Sequence, residues 1–175
     1  GLLRLIRIAL PTTGTATSVT AADMEAGSIS ISSRPAVKAT AKLGYAQNNT
    51  VQASGMASGL PASSAAALAQ EWLTTTSTDA TTATTYKLDA QPEQVDTLLI
   101  DDTEAATEAA RLVTLWKTQR TIYSATYLPS TMLVELGDTW TITHPRLGLS
   151  AGKTGLVVSI DRDWLKARAT VGVLA

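Results

Sequence analysis

A helical pattern over residues 103–123 runs into a Leu136-Gly137-Asp138 turn and then alternating strands that close on Thr170-Val171-Gly172-Val173-Leu174. This order restricts the fold more than any other feature of the chain. Asp101 with Glu104 three residues on is a capping-box-like start, and Ala106, Ala109, Ala110, Val113, Trp116, Ile122 and Tyr123 form one apolar stripe. Glu108 and Arg111 pair on the outer face. Beyond the helix, strands are expected near residues 126–128, 139–143, 156–161 and 168–174, with Gly137-Asp138, Gly148, Gly152 and Gly155 as turn points. The predicted class is α+β: mostly antiparallel short strands forming a small barrel or split sheet, packed by one long and one shorter helix.

The upstream half supplies the other elements. Residues 4–9 alternate Arg4, Ile6 and Ile8 against Leu5, Arg7 and Ala9, a strand that stops at Leu10-Pro11. Residues 11–22, rich in Thr and Ser, read as a linker, so 1–10 is expected to pair with sheet outside this chain while 23–175 forms the α+β domain. Residues 28–32 and 37–45 read as half-buried strands, followed by a Gln47-Asn48-Asn49 turn and a hairpin partner at 50–53. Pro61 suits the start of a helix over 61–73, with Ala65, Leu68, Ala69, Trp72 and Leu73 on one face and Trp72 in the core. The Thr/Ser/Ala run at 74–85 has too few large apolar groups to bury itself and reads as a loop. Residues 86–90 and 97–100 read as short strands.

Composition narrows the chemistry. A chain of 175 residues buries roughly 70% of its unfolded surface as one domain. With 45% hydrophobic residues but no Phe, the core falls to Leu, Ile, Val and four Trp, each Trp an expected anchor. Cysteine is absent, which excludes disulfides and zinc-thiolate sites. No apolar run approaches the ~20 residues needed to cross a bilayer, and residues 1–8 are too short and too charged for a signal peptide. The chain begins without Met, almost at once in a strand, and reads as the visible part of a longer protein.

Charge is segregated. Residues 1–60 carry five basic and two acidic groups, 61–110 one basic and nine acidic, and 111–175 eight basic and four acidic, for a net −1. An acidic middle between basic ends suits complementarity within a molecule or between copies, and argues against a nucleic-acid reader with its basic, aromatic stripe.

Candidate catalytic groups are sparse. The single histidine, His144, precedes Pro145 at a strand end, and without a Gly-x-Ser-x-Gly turn it reads as a turn residue rather than part of a triad. Asp101-Asp102 and Asp161-Arg162-Asp163 lack calcium-loop or glycosidase spacing; the first reads as a helix N-terminus and the second as a hairpin turn. Gly152-Lys153-Thr154-Gly155 is not a phosphate loop, because Leu147 stands where the first glycine belongs and a strand follows. Asn48-Asn49-Thr50 fits the glycosylation pattern, which arises often by chance.

Ala26-Gly27-Ser28-Ile29-Ser30-Ile31, Lys42-Leu43-Gly44-Tyr45, Glu71-Trp72-Leu73, Asp96-Thr97-Leu98-Leu99, Leu136-Gly137-Asp138 and Gly152-Lys153-Thr154-Gly155, in this order around one long helix, resemble the tail-tip or baseplate hub proteins of siphovirus-type bacteriophages. The resemblance covers most of the chain. It implies a structural virion component at the tail tip, assembled in the host cytoplasm as a homotrimeric ring that links the tail tube and tape-measure protein to the receptor-binding apparatus. It implies no enzyme activity, catalytic residue, cofactor, metal, nucleic acid or membrane anchor. The rival readings are a tail-associated cell-wall hydrolase built on His144 and nearby acids, and a glycan-binding module using exposed Trp and Tyr.

Overall fold

The computed structural model describes residues 8–9, 16–88 and 92–175. In chain order its elements are β1 (Thr17–Thr20), β2 (Ser30–Ser33), β3 (Thr40–Tyr45), α1 (Ala62–Leu68), β4 (Leu73–Thr78), α2 (Ala80–Tyr86), β5 (Gln94–Asp96), α3 (Asp102–Trp116), β6 (Ile122–Tyr127), β7 (Thr139–Thr143), β8 (Lys153–Asp163) and β9 (Arg168–Leu174). The chain divides into two compact units, one built from residues up to 36 together with 119–175, the other from residues 37–118. The second unit is therefore an insertion between β2 and β6 of the first.

The fold is α+β, as expected. In the first unit six strands run in the order β1-β7-β8-β9-β6-β2, antiparallel except for β1 against β7. The sheet ends in two edges and does not close into a barrel. Period-two alternation turns Tyr123, Ala125 and Tyr127 of β6, Trp140 and Ile142 of β7, and Ala169, Val171 and Val173 of β9 inward. Each large apolar side chain so buried contributes about 1.5–3 kcal/mol. Tyr127 meets Trp140 edge to face, with ring centroids 5.0 Å apart and planes at 75°, and this pair supplies the aromatic bulk that a core without Phe lacks. Between Val157↔Val173 and Ser159↔Gly172 the register of β8 against β9 shifts, and the extra residue bends the long strand.

The Leu136-Gly137-Asp138 turn falls where the sequence places it. Gly137 takes φ 90°, its N–H donates to the Val157 carbonyl at 2.9 Å, and the Asp138 carboxylate accepts the Glu135 N–H at 2.8 Å. Expected strands 139–143 and 168–174 match β7 and β9, and 156–161 lies inside the longer β8.

In the second unit the strand order is β4-β3-β5, and α3 packs against β3 and β4. Asp101 caps α3 by accepting the Glu104 N–H at 3.0 Å, and Arg111 forks onto Glu108 with bonds of 2.9 and 2.6 Å. The buried stripe is Ala105, Ala109, Val113 and Leu115: Ala109 and Val113 are buried as expected, while the expected Ala106 and Ala110 are exposed.

The remaining differences have physical reasons. The helix ends at Trp116 rather than 123, because Ile122 and Tyr123 are better used in β6, and Thr121 already exchanges main-chain bonds of 2.8 and 2.9 Å with Ala175. Helix α1 stops at Leu68, with Pro61 at its N-cap, while Leu73 opens β4. Asn48 does turn the chain, accepting the Thr50 N–H at 3.0 Å, but residues 50–53 form no strand.

The partner of β3 is instead β4, inside the segment expected to be a loop, where Thr75 and Ser77 are half-buried and Thr74, Thr76 and Thr78 exposed. The rest of that loop is α2, which Asp79 caps through the Thr82 N–H at 2.9 Å. Tyr86 ends this helix and Lys87 caps it in the left-handed region at φ 52°. The expected strand at 86–90 is thus absent at 86–88, and its last two residues lie outside the described ones. The strand expected at 97–100 falls at β5, upstream. Residues 28–32, 37–45 and 126–128 correspond to β2, β3 and β6 with shifted ends. β1 lies within the expected linker 11–22. The expected strand 4–9 lies outside the described residues apart from Ile8 and Ala9, which are in no strand.

Candidate functional site

His144 follows β7. Its Nδ1 accepts the Arg146 N–H at 3.1 Å, and the His144 main-chain N–H donates to the Leu149 carbonyl at 3.1 Å, so both help shape a tight loop through Leu147 and Gly148, both at positive φ. Asp101 is occupied as the α3 cap. Burial first, and then the Asp102 and Asp101 carboxylates, raise the Tyr45 phenol above its ordinary pKa.

Asp163 closes the β8–β9 hairpin. It accepts the Lys166 N–H at 3.1 Å and pairs with the Lys166 ammonium at 3.2 Å; the Lys166 main-chain bond is the first cause of its lowered pKa. Lys153 begins β8 and stands 5.4 Å over the Tyr123 ring, in a strand and not at a helix N-terminus. The candidate residues thus lie apart, in a turn, at the start of α3 and along β8, and among the described residues no group of three or more acids and histidines is placed to hold a metal ion. No helix among them is long and apolar enough to cross a membrane.

The sequence missed where apolar surface is left open. Trp140 is an anchor, as expected, but Trp72 and Trp116 are only half-buried and Trp164 is 68% exposed. Trp164 and the fully exposed Leu165 form the tip of the β8–β9 hairpin. The Arg162 guanidinium lies 5.9 Å over the Trp164 ring, donates to the Met132 carbonyl at 3.0 Å and also bonds the Val134 carbonyl. It therefore ties the hairpin to the loop that exposes Leu133. In the second unit, Leu98 and Ile100 are 98% and 82% exposed between Asp96 and the Asp101-Asp102 pair. Exposed apolar residues rimmed by charge are the composition of contact surfaces.

The second unit also holds an open cavity of about 360 Å³ bounded by Leu43, Val95, Leu112, Val113 and Trp116, with Lys38, Lys42 and Glu93 at its polar margin. Elsewhere in this unit, Asp79 joins its cap bond to a 3.2 Å ion pair with Lys117. The Thr82 N–H first, and then Lys117, lower its pKa. A carboxylate depressed in the folded state stabilises fully above its unfolded pKa and loses that effect as pH falls through the folded value. Urea titrations of the second unit are therefore expected to show stability falling below about pH 4, and Asp79→Ala to flatten that slope. An unchanged slope in the variant would contradict this role.

No protein-family description and no curated protein matches the sequence. Among solved structures, the chain is similar to one in the virion of a native gene transfer agent particle, with TM-score 0.56 and 12% identity, covering 93% of this chain and 32% of that one. It also aligns with the 43 kDa tail protein of prophage MuSo2 from Shewanella oneidensis, at TM-score 0.37 and 13% identity, covering 94% of this chain and 45% of that one. The first likeness is one of fold, and the second is too loose to add to it. The chain spans about a third of the first of these proteins and less than half of the second.

Proposed function

We propose that this chain is part of a structural component of a phage-type tail: a hub at the tail tip, assembled as a homotrimeric ring in the host cytoplasm. It would join the tail tube and tape-measure protein to the receptor-binding apparatus. The observation that carries this reading is the shared fold with a chain of a gene transfer agent virion over 93% of the present one. Open strand edges, the exposed tips at Trp164-Leu165 and Leu98-Ile100, and segregated charge all suit a subunit that works by being packed between others. The reading assigns the chain no catalytic role, in keeping with the separate structural bonds of His144, Asp101 and Asp163.

The test is to purify intact particles and locate the protein by mass spectrometry and by immunogold labelling of the tail tip. Its absence from particles that carry complete tails would end the proposal. Exposed Trp164 supports a second reading, a glycan-binding module. Glycan-array binding that disappears in Trp164→Ala would favour that reading over the first.

A further inference from the structure

Sheet edges expose rows of unpaired N–H and C=O groups, and folded proteins blunt them with short strands, charges, prolines or bulges. Three of the four edges described here are blunted. β1 has only four residues, β2 carries a register shift and runs into Arg34-Pro35, and β5 has three residues and an aspartate. β4 differs. It has six residues, Leu-Thr-Thr-Thr-Ser-Thr, with no charge, no proline and an unbroken register against β3.

The phase of the ladder says which groups are free. Asp79 donates its N–H to the Ala39 carbonyl at 2.8 Å, and this pair continues the register Ala41↔Ser77, Leu43↔Thr75. In an antiparallel ladder, bonded and non-bonded pairs alternate. Ser77 and Thr75 therefore bond to β3, while Thr74, Thr76 and Thr78 turn their N–H and C=O groups to the open edge, with side chains on the exposed face.

We propose that β4 pairs antiparallel with β4 of a second copy about a two-fold axis at Thr76. In that register Thr74 faces Thr78, Thr76 faces its own counterpart, and the outward groups of both strands coincide, giving about six main-chain hydrogen bonds. The strand meets itself with no like charges opposite; the facing residues of the exposed face are all threonines and Thr75 faces Ser77, and such cross-strand pairs are favourable. The contact is argued from the length, composition and register of β4 alone and does not rest on the tail reading.

The test is Thr76→Pro in the full chain. The Thr76 N–H makes no bond to β3, so proline there blocks the edge and leaves the sheet intact, whereas Thr75→Pro breaks the ladder. Analytical ultracentrifugation at rising concentration is expected to give the wild type twice the mass of Thr76→Pro: dimer against monomer, or hexamer against trimer if the ring also forms. Hydrogen exchange is expected to slow at residues 74, 76 and 78 as the wild type associates. Thr76→Lys, which sets two like charges at the axis, should halve the mass in the same way should the proline variant fail to fold. Equal masses for wild type and either folded variant, or rapid exchange at these three amides in the associated wild type, would overturn the proposal.

Discussion

Trp140→Ala is expected to lower the stability of the first unit by about 3–5 kcal/mol, the range for removing a large aromatic from a packed core. Trp140 is 2% exposed, lies in β7 opposite Thr17 of β1 and Gly155 of β8, and receives Tyr127 edge to face. The space beside it is shaped by a glycine, so neighbouring backbone cannot collapse into the void without breaking ladder bonds on both sides. Part of the loss is specific to the ring pair. A double-mutant cycle with Tyr127→Leu is expected to give a coupling of about 0.5–1.5 kcal/mol. Denaturant titration followed by hydrogen exchange of the β9 amides isolates the first unit; a loss below about 1 kcal/mol would show that the aromatic pair is not the centre of this core.

Two glycines of the same sheet separate a correctable collision from one that is not. A Cβ on Gly155 would run into the Leu174 carbonyl oxygen and come within 2.7 Å of Ala175 Cβ and 2.8 Å of Val173 Cγ1. A main-chain oxygen in a ladder cannot swing away, so Gly155→Ala is expected to cost about 3 kcal/mol, at the upper end for overpacking. A Cβ on Gly172 would collide chiefly with the Ser159 hydroxyl, while Ser159 Cβ would stand at an ordinary 3.5 Å. Gly172→Ala alone is expected to destabilise by about 1–3 kcal/mol, and Ser159→Ala to recover most of that loss. The same second change should leave Gly155→Ala unrelieved. Thermal unfolding of the four variants checks both statements, and equal rescue of the two glycine variants would refute the distinction.

These expectations rest on the half of the chain that the sequence described best. β7 alternates Thr with Trp140 and Ile142 after the Gly137 turn, β9 alternates apolar and small residues, and Asp101 with Glu104 marks the start of α3. The inserted unit is harder to read because its β4, after Leu73, is made of Thr and Ser. Those residues carry no hydrophobic alternation, and their strand is set by pairing with Leu43 and its neighbours, a tertiary effect beyond any local window. α2 is likewise a run of Ala and Thr held by one aspartate cap. Trp164 misled in the other direction: a large aromatic was expected inside, and only the hairpin geometry puts it outside. His144 bonds within a turn and Asp101 starts a helix, as their surroundings in the sequence indicate, whereas Asp161-Arg162-Asp163, expected as a hairpin turn, lies in β8, and only Asp163 bonds into the turn that follows.

Strands β2 and β6 are hydrogen-bonded neighbours, Ile31 opposite Tyr123, yet all of residues 37–118 separates them along the chain. During synthesis the outer strand must wait for the whole insert to emerge before its mate exists. Closing so long a loop is entropically costly, with the penalty growing as the logarithm of its length, and high sequence separation slows folding. Early maturation of the inner segment would draw the two ends together and shorten that search. Replacing the insert by a short, flexible bridge is therefore expected to speed registry of the outer sheet.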